Sequence, residues 1–144
     1  MSAEATSRVF LDTNVLLYAL ASNDWREARA YKLLAQGGLV SVQVLNEFVN
    51  VTRRKLKLGW GEVQRLLEAV HFLCGPIQPL AAEAHNEALA IAIQYGFSIY
   101  DSSIIASALL AGCETLYSED MQDGQRIEYL TIRNPFSDLL NAGA

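Results

Sequence analysis

Short apolar runs that stop abruptly at polar or acidic residues alternate along this chain with stretches of helical periodicity. No other feature constrains its fold as strongly. Val9, Phe10 and Leu11 give way to Asp12-Thr13-Asn14, Leu39-Val40 to Ser41, and Thr115-Leu116-Tyr117 to Ser118-Glu119-Asp120. A brief continuous apolar run bounded by turn residues reads as a strand covered on both faces. Further short strands are expected at Ile77, over 97–100 and over 127–132. Between them, helices are expected over 15–21, 25–34, 42–54 with Ser41 as N-cap, 61–72, 80–95 closed by Gly96, and 102–110 with Gly112 just beyond. Strands alternating with helices predict an α/β fold, a parallel sheet with helices on both faces.

Composition sets the frame. The 144 residues are 51% hydrophobic and 19% charged, enough apolar material for one packed domain spanning 1–144 and too little chain for two. Residues 1–7 read as a loose leader and 141–144 as a loose tail. Two cysteines exclude a disulfide framework and favour a reducing compartment. With no apolar run near membrane-spanning length and no export signal in the first residues, the expectation is a cytoplasmic protein without membrane contact. A net charge of −5 argues against holding nucleic acid by bulk positive charge, though not against gripping phosphates through divalent metal.

The acids fall in suggestive places. Asp12, Asp101 and Asp120 each follow an expected strand, where parallel α/β sheets carry their working residues. Glu47 lies in the apolar setting Val44-Leu45-Asn46-Glu47-Phe48-Val49, with Gln43, Val44, Val51 and Arg54 as its helical neighbours. Gathered together, four carboxylates would repel one another unless a hard cation such as Mg²⁺ or Mn²⁺ intervened. Each also has a plainer reading: Asp12 and Asp101 as helix caps, Glu47 as a solvent-facing residue, Asp120 as turn chemistry. Arg53, Arg54, Lys55 and Lys57 form a basic run, read either as a phosphate clamp led by Arg54 or as cations complementing a helix C-terminus. Trp25 and Trp60 are candidates for base stacking or for helix packing. His71 and Cys74 share a helical face but lack a second pair, which argues against zinc.

Four segments in order resemble the motifs of PIN-domain ribonucleases, and in particular the VapC-like toxins of type II toxin–antitoxin modules. They are the stretch from Phe10 to Ala19 containing Asp12-Thr13-Asn14, the one from Ser41 to Phe48 ending near Glu47, the one from Tyr100 to Ala108 containing Asp101, and Leu116-Tyr117-Ser118-Glu119-Asp120. The resemblance runs from about Val9 to Ile132. It implies a three-layer α/β/α sandwich, PIN-like and Rossmann-like, and an endoribonuclease using one or two Mg²⁺ or Mn²⁺ ions. It implies Asp12, Glu47, Asp101 and Asp120 as catalytic and metal-binding acids, with Asp123 an alternative to Asp120. Thr13, Asn14 and Ser118 would orient carboxylates or water. Ser102 stands where many relatives have Ala.

On that reading, metal held by Asp12 and Asp101 with help from Asp120 would activate water for in-line attack on an RNA phosphodiester, and Glu47 would position that water or take its proton. A cognate antitoxin and a homodimer are implied partners, and the apolar surface of the helices over 25–34 and 61–72 is a candidate contact for either. Two other enzyme classes fail on their own requirements. A haloacid-dehalogenase-type phosphatase needs an acid where Asn14 stands, and a receiver domain needs a late lysine, whereas Lys57 is the last one here. The remaining rival is a catalytically weak PIN-like module that binds RNA or a protein.

Overall fold

The computed structural model describes residues 8–142. Three parallel strands form its centre: β1 (Val9–Leu11), β2 (Thr115–Tyr117) and β4 (Leu130–Arg133), with β2 in the middle. A two-residue strand, β3 (Arg126–Ile127), pairs antiparallel with β4, giving the order β1-β2-β4-β3. Phe10, Leu116 and Ile132 stand in register across the parallel strands, and all three are fully buried. Seven helices among the described residues flank this mixed sheet in a three-layer α/β/α arrangement: α1 (Thr13–Leu20), α2 (Glu27–Ala35), α3 (Val42–Arg54), α4 (Trp60–Leu73), α5 (Ala82–Tyr95), α6 (Ile99–Leu110) and α7 (Ser137–Ala142).

Several expected elements change form. Leu39 and Gln78 do not lie in strands; each makes a single parallel bridge, Leu39 to Phe10 and Gln78 to Ser41. The Leu11 and Gln78 N–H groups donate to the Leu39 and Val40 carbonyls at 2.9 and 2.8 Å, extending the sheet past β1. The single strand expected over 127–132 is a hairpin. Glu128 adopts φ 56°, and the two-residue loop it makes with Tyr129 reverses the chain without the glycine or asparagine that normally marks such a turn. Residues 97–100 are not a strand either. The Ser98 hydroxyl accepts from the Asp101 N–H at 3.1 Å, so α6 begins at Ile99 and Asp101 occupies its first turn. α7 takes in Asn141 and Ala142 of the expected tail; the leader and the last two residues lie outside the described residues.

The helix ends have identifiable causes. Ser41 caps α3 as expected, its hydroxyl accepting from the Val44 N–H. Gly96 ends α5 at φ 81°, a conformation in which a Cβ would be strained. α6 is the most enclosed helix, buried continuously from Ser102 to Leu109. Within it, the Ser102 and Ser107 hydroxyls have no hydrogen-bond partner among the described residues. Among the described residues no single helix is long and apolar enough to cross a membrane.

Candidate active site

β1 ends at Leu11, and the next residue, Asp12, turns the chain into α1. Its N–H donates to the Tyr117 carbonyl at 3.0 Å, which fixes the backbone against β2. Its carboxylate caps α1 by accepting from the Thr13 N–H at 2.7 Å. The other oxygen accepts from the Ser118 hydroxyl at 2.7 Å and, more weakly, from the Asn14 amide at 3.4 Å. Ser118 follows β2 directly, and its oxygen in turn accepts from the Asp120 and Met121 N–H groups. The two central strands thus end in one interlocked turn.

The other acids approach this turn from separate elements. Glu47, in mid-α3, accepts from the Thr13 hydroxyl and from the Gln43 amide, both at 2.9 Å. Asp120 accepts from the Asn14 amide at 3.1 Å, so one side chain bridges Asp120 and Asp12. Asp101 comes from the first turn of α6 and is half-buried. The structure therefore brings Asp12, Glu47, Asp101 and Asp120 together. Asp123 serves elsewhere, its carboxylate accepting from the Asn134 N–H at 2.9 Å.

The electrostatics report this crowding. Burial pushes the Asp12 carboxyl up to about 6; the charges of Asp101 and Glu47 add to the rise, and the hydrogen bonds from Ser118 and Thr13 oppose it. Asp101 is likewise raised, first by burial and then by the charges of Glu47 and Asp120. None of the three ion pairs among the described residues involves these four acids.

This donor set is all hard oxygen, which suits Mg²⁺ or Mn²⁺. Yet among the described residues no three acidic, histidine or cysteine side chains stand close enough to close round one ion. Thr13, Asn14, Gln43 and Ser118 each hold a carboxylate by hydrogen bond. The arrangement fits a hydrated ion taken by one or two carboxylates, the usual habit of Mg²⁺, and does not fit an all-protein cage.

Two residues that sequence reasoning missed stand out. Gln43 holds Glu47 from one helical turn away, and its signal was the i,i+4 spacing itself. Glu119, grouped with its acidic loop, faces away from the cluster. It accepts from the Tyr18 hydroxyl at 2.5 Å and from Arg26 Nε at 2.6 Å, tying the β2 turn to α1 and α2. Arg26 also pairs with Asp24 and lies over the Tyr18 and Trp25 rings.

The basic and aromatic candidates sort differently. Arg54 is exposed in the last turn of α3, whereas Arg53 lies over the Trp60 ring and donates to the Leu58 carbonyl. Trp25 and Trp60 are half exposed or more, so neither is a core-packing residue. His71 is exposed with its ring against the Leu67 carbonyl, and burial raises the Cys74 thiol to about 11, opposite to what a zinc thiolate needs.

Parallel strands that end in a shared acidic cup, enclosed by helices, define a class of α/β protein whose chemistry lies at the strand ends. This chain belongs to the PIN domain family, whose family model matches residues 9–123. Its fold is similar to that of VapC20 of Mycobacterium tuberculosis, a sarcin–ricin loop cleaving toxin (TM-score 0.65, 19% identity, 78% of this chain and 89% of that one). It is similar to a chain of a toxin–antitoxin complex from Klebsiella pneumoniae (TM-score 0.67, 21% identity, 90% and 98%). It also resembles a chain of VapBC2 from Rickettsia felis, bound to a DNA fragment from its promoter (TM-score 0.64, 23% identity, 88% and 97%). Comparison with curated proteins gave no significant sequence match.

Proposed function

We propose that this chain is a Mg²⁺- or Mn²⁺-dependent endoribonuclease of the cytoplasm, the toxin of a toxin–antitoxin pair. One observation carries the reading: Asp12 is buried at a strand end, raised to about 6, and sharing its field with Asp101 and Glu47. Family membership supports the hydrolase, and the likeness to a sarcin–ricin loop cleaving toxin supports RNA as substrate.

An ion bound there would supply positive charge against the scissile phosphate and a Lewis acid for the attacking water. The remaining work falls to the chain. Asp12 and Asp101 are the acids for the ion, with Asp120 steered towards it through Asn14. Glu47 is the acid for the attacking water: Thr13 and Gln43 hold one oxygen each, which fixes the carboxylate plane and leaves its outer lone pairs to orient a water or accept its proton. Arg54, exposed in the last turn of the helix that carries Glu47, is the candidate for a substrate phosphate.

Antitoxin and second copy have separate surfaces available. A cleft of about 440 Å³ between α1 and α4, lined by Leu20, Leu56, Leu58 and Leu66 with Glu62 and Arg65 among them, suits an amphipathic antitoxin segment. Leu89 and Ile93 lie exposed one turn apart on α5 and suit a homodimer contact.

The test is cleavage of structured RNAs by the purified chain with Mn²⁺, with EDTA, and with Asp12→Asn. Cutting by the wild type with Mn²⁺ alone is expected. That no three of these acids stand close enough to close round one ion among the described residues favours a second reading, a binding module of little activity. RNA retention without cutting at any Mn²⁺ concentration would establish that reading instead.

A further inference from the structure

Gln43 and Tyr100 lead from the acid cluster into a separate cavity. Gln43 donates to Glu47 and also lines this cavity, and Tyr100 lines it while immediately preceding Asp101. The space is an open depression of about 300 Å³, lined by His85 and Leu80 on the α5 side and by Ile99, Tyr100 and Ser103 of α6. Tyr100 and Ser103 share one face of α6 at i,i+3. The tyrosine is 63% exposed, while Ser103 is buried.

These parts have a chemical meaning together. One amide N–H of Gln43 goes to Glu47, the single partner of that amide among the described residues; a second N–H and the carbonyl oxygen complete its capacity. The cavity therefore offers a ring face, an amide with both donor and acceptor, a hydroxyl and an imidazole, and carries no acidic or basic side chain other than His85. A planar heterocycle with donors and acceptors on its edge matches this set, whereas a phosphate or a purely apolar side chain does not. The volume is at the small end for ligand clefts and suits one base, not a helix. Nucleobases extruded from single-stranded or looped RNA are commonly read by stacking on an aromatic ring and hydrogen bonding to their edges.

We propose that this cavity is a nucleobase subsite that takes an unpaired base flanking the scissile phosphate, with Tyr100 as the stacking face and Gln43 and Ser103 reading the base edge. The proposal rests on the endoribonuclease reading for its substrate, and it makes Gln43 the link between the two sites. An occupied subsite holds the Gln43 amide, and with it the Glu47 carboxylate, in one orientation. Base identity would then be sensed by the group that orients the water.

The test needs no catalysis. The ¹⁵N-labelled full chain, in EDTA, is titrated with each of the four ribonucleoside 5′-monophosphates and with inorganic phosphate. At least one nucleotide is expected to shift the Gln43 side-chain amide and the Tyr100 and Ser103 backbone signals, at millimolar concentration, while phosphate leaves them in place. Tyr100→Ala is expected to weaken that response roughly tenfold, and Tyr100→Phe to preserve it, because stacking uses the ring and not the hydroxyl. Exposure of Tyr100 keeps both variants folded. Silence with all four nucleotides, an equal response to phosphate, or indifference to Tyr100→Ala overturns the subsite. Silence with nucleotides combined with protection of these residues by a cognate antitoxin assigns the cavity to protein instead. A nucleotide response from a chain that cuts no RNA leaves the subsite standing and removes the hydrolase. Cutting without a nucleotide response does the reverse.

Discussion

Replacing Asp12 with Asn should make the metal-free protein more stable and the Mn²⁺-bound protein less so. In the folded chain the Asp12 carboxyl is pushed up to about 6 from its ordinary 3.8, burial being the main cause. Because the folded state binds the proton more tightly than the unfolded one, stability falls as pH rises through this window and is flat above it. The difference corresponds to about 3 kcal/mol at neutral pH, at roughly 1.4 kcal/mol per unit. Asn removes that charge but keeps only part of the hydrogen bonding. Its oxygen still caps Thr13, while the Ser118 hydroxyl, whose oxygen already accepts from Asp120 and Met121, loses its acceptor. That loss costs about 1 kcal/mol or somewhat more. The net expectation is a gain of about 1–2 kcal/mol for Asp12→Asn in EDTA at pH 7, shrinking towards zero or below by pH 4. Urea unfolding at both pH values measures it. Saturating Mn²⁺ should invert the order, since an ion at one hundred times its dissociation constant adds about 2.7 kcal/mol to the wild type alone. A variant less stable than wild type in EDTA at pH 7, with the same pH slope, would refute the electrostatic account of this site.

Three further substitutions separate the site from its supports. Thr13→Val removes the hydroxyl that holds one Glu47 oxygen and should lower kcat about tenfold to a hundredfold with KM little changed, read in steady-state RNA cleavage. Glu119→Gln breaks the pairing with Arg26 and weakens the bond from Tyr18. The Glu119 and Arg26 side chains are both about one-fifth exposed, so a loss of about 1–2 kcal/mol in urea unfolding is expected, with cleavage retained. Ser102→Ala removes a fully buried hydroxyl that has no partner among the described residues and should raise stability by about 1 kcal/mol; a lower urea midpoint would show that the hydroxyl has a use.

How far the residues alone disclosed this architecture depended on whether the cause was local. β1 and β2 were legible because three apolar residues followed by polar ones leave few alternatives to a buried strand. α3 was legible from end to end, since Ser41 caps it and Val44 and Phe48 mark its buried side. The start of α6 was not, because Phe97, Ile99 and Tyr100 read as a strand and hid the cap that Ser98 provides. The β3–β4 turn was hidden in the same way, as Glu128 takes a left-handed backbone without any residue that advertises it. At the site, local context named four candidate acids and left Asp120 and Asp123 as alternatives. The different settings of those two, with the Asn14 amide at Asp120 and the Asn134 N–H at Asp123, come from approaches that only the fold supplies. Glu119 shows the same limit: its partners Tyr18 and Arg26 lie about a hundred residues away along the chain.

The placement of the arginines completes the argument about charge. A purely structural cluster of carboxylates would be expected to recruit guanidinium groups, since an unpaired buried charge is among the costliest features a fold can carry. The chain has suitable groups close by in the fold and directs them elsewhere. Arg26 is held by Asp24 and Glu119, Arg29 by Asp138, and Arg53 by the Trp60 ring and the Leu58 carbonyl. Glu119 is an acid one residue from Asp120, yet it takes the arginine while Asp120 does not. Among the described residues only neutral donors hydrogen-bond the cluster's side chains, and they leave Asp12 raised in spite of two bonds at 2.7 Å. On the proposed reading, that uncompensated negative charge is what a divalent ion arriving from solution would meet.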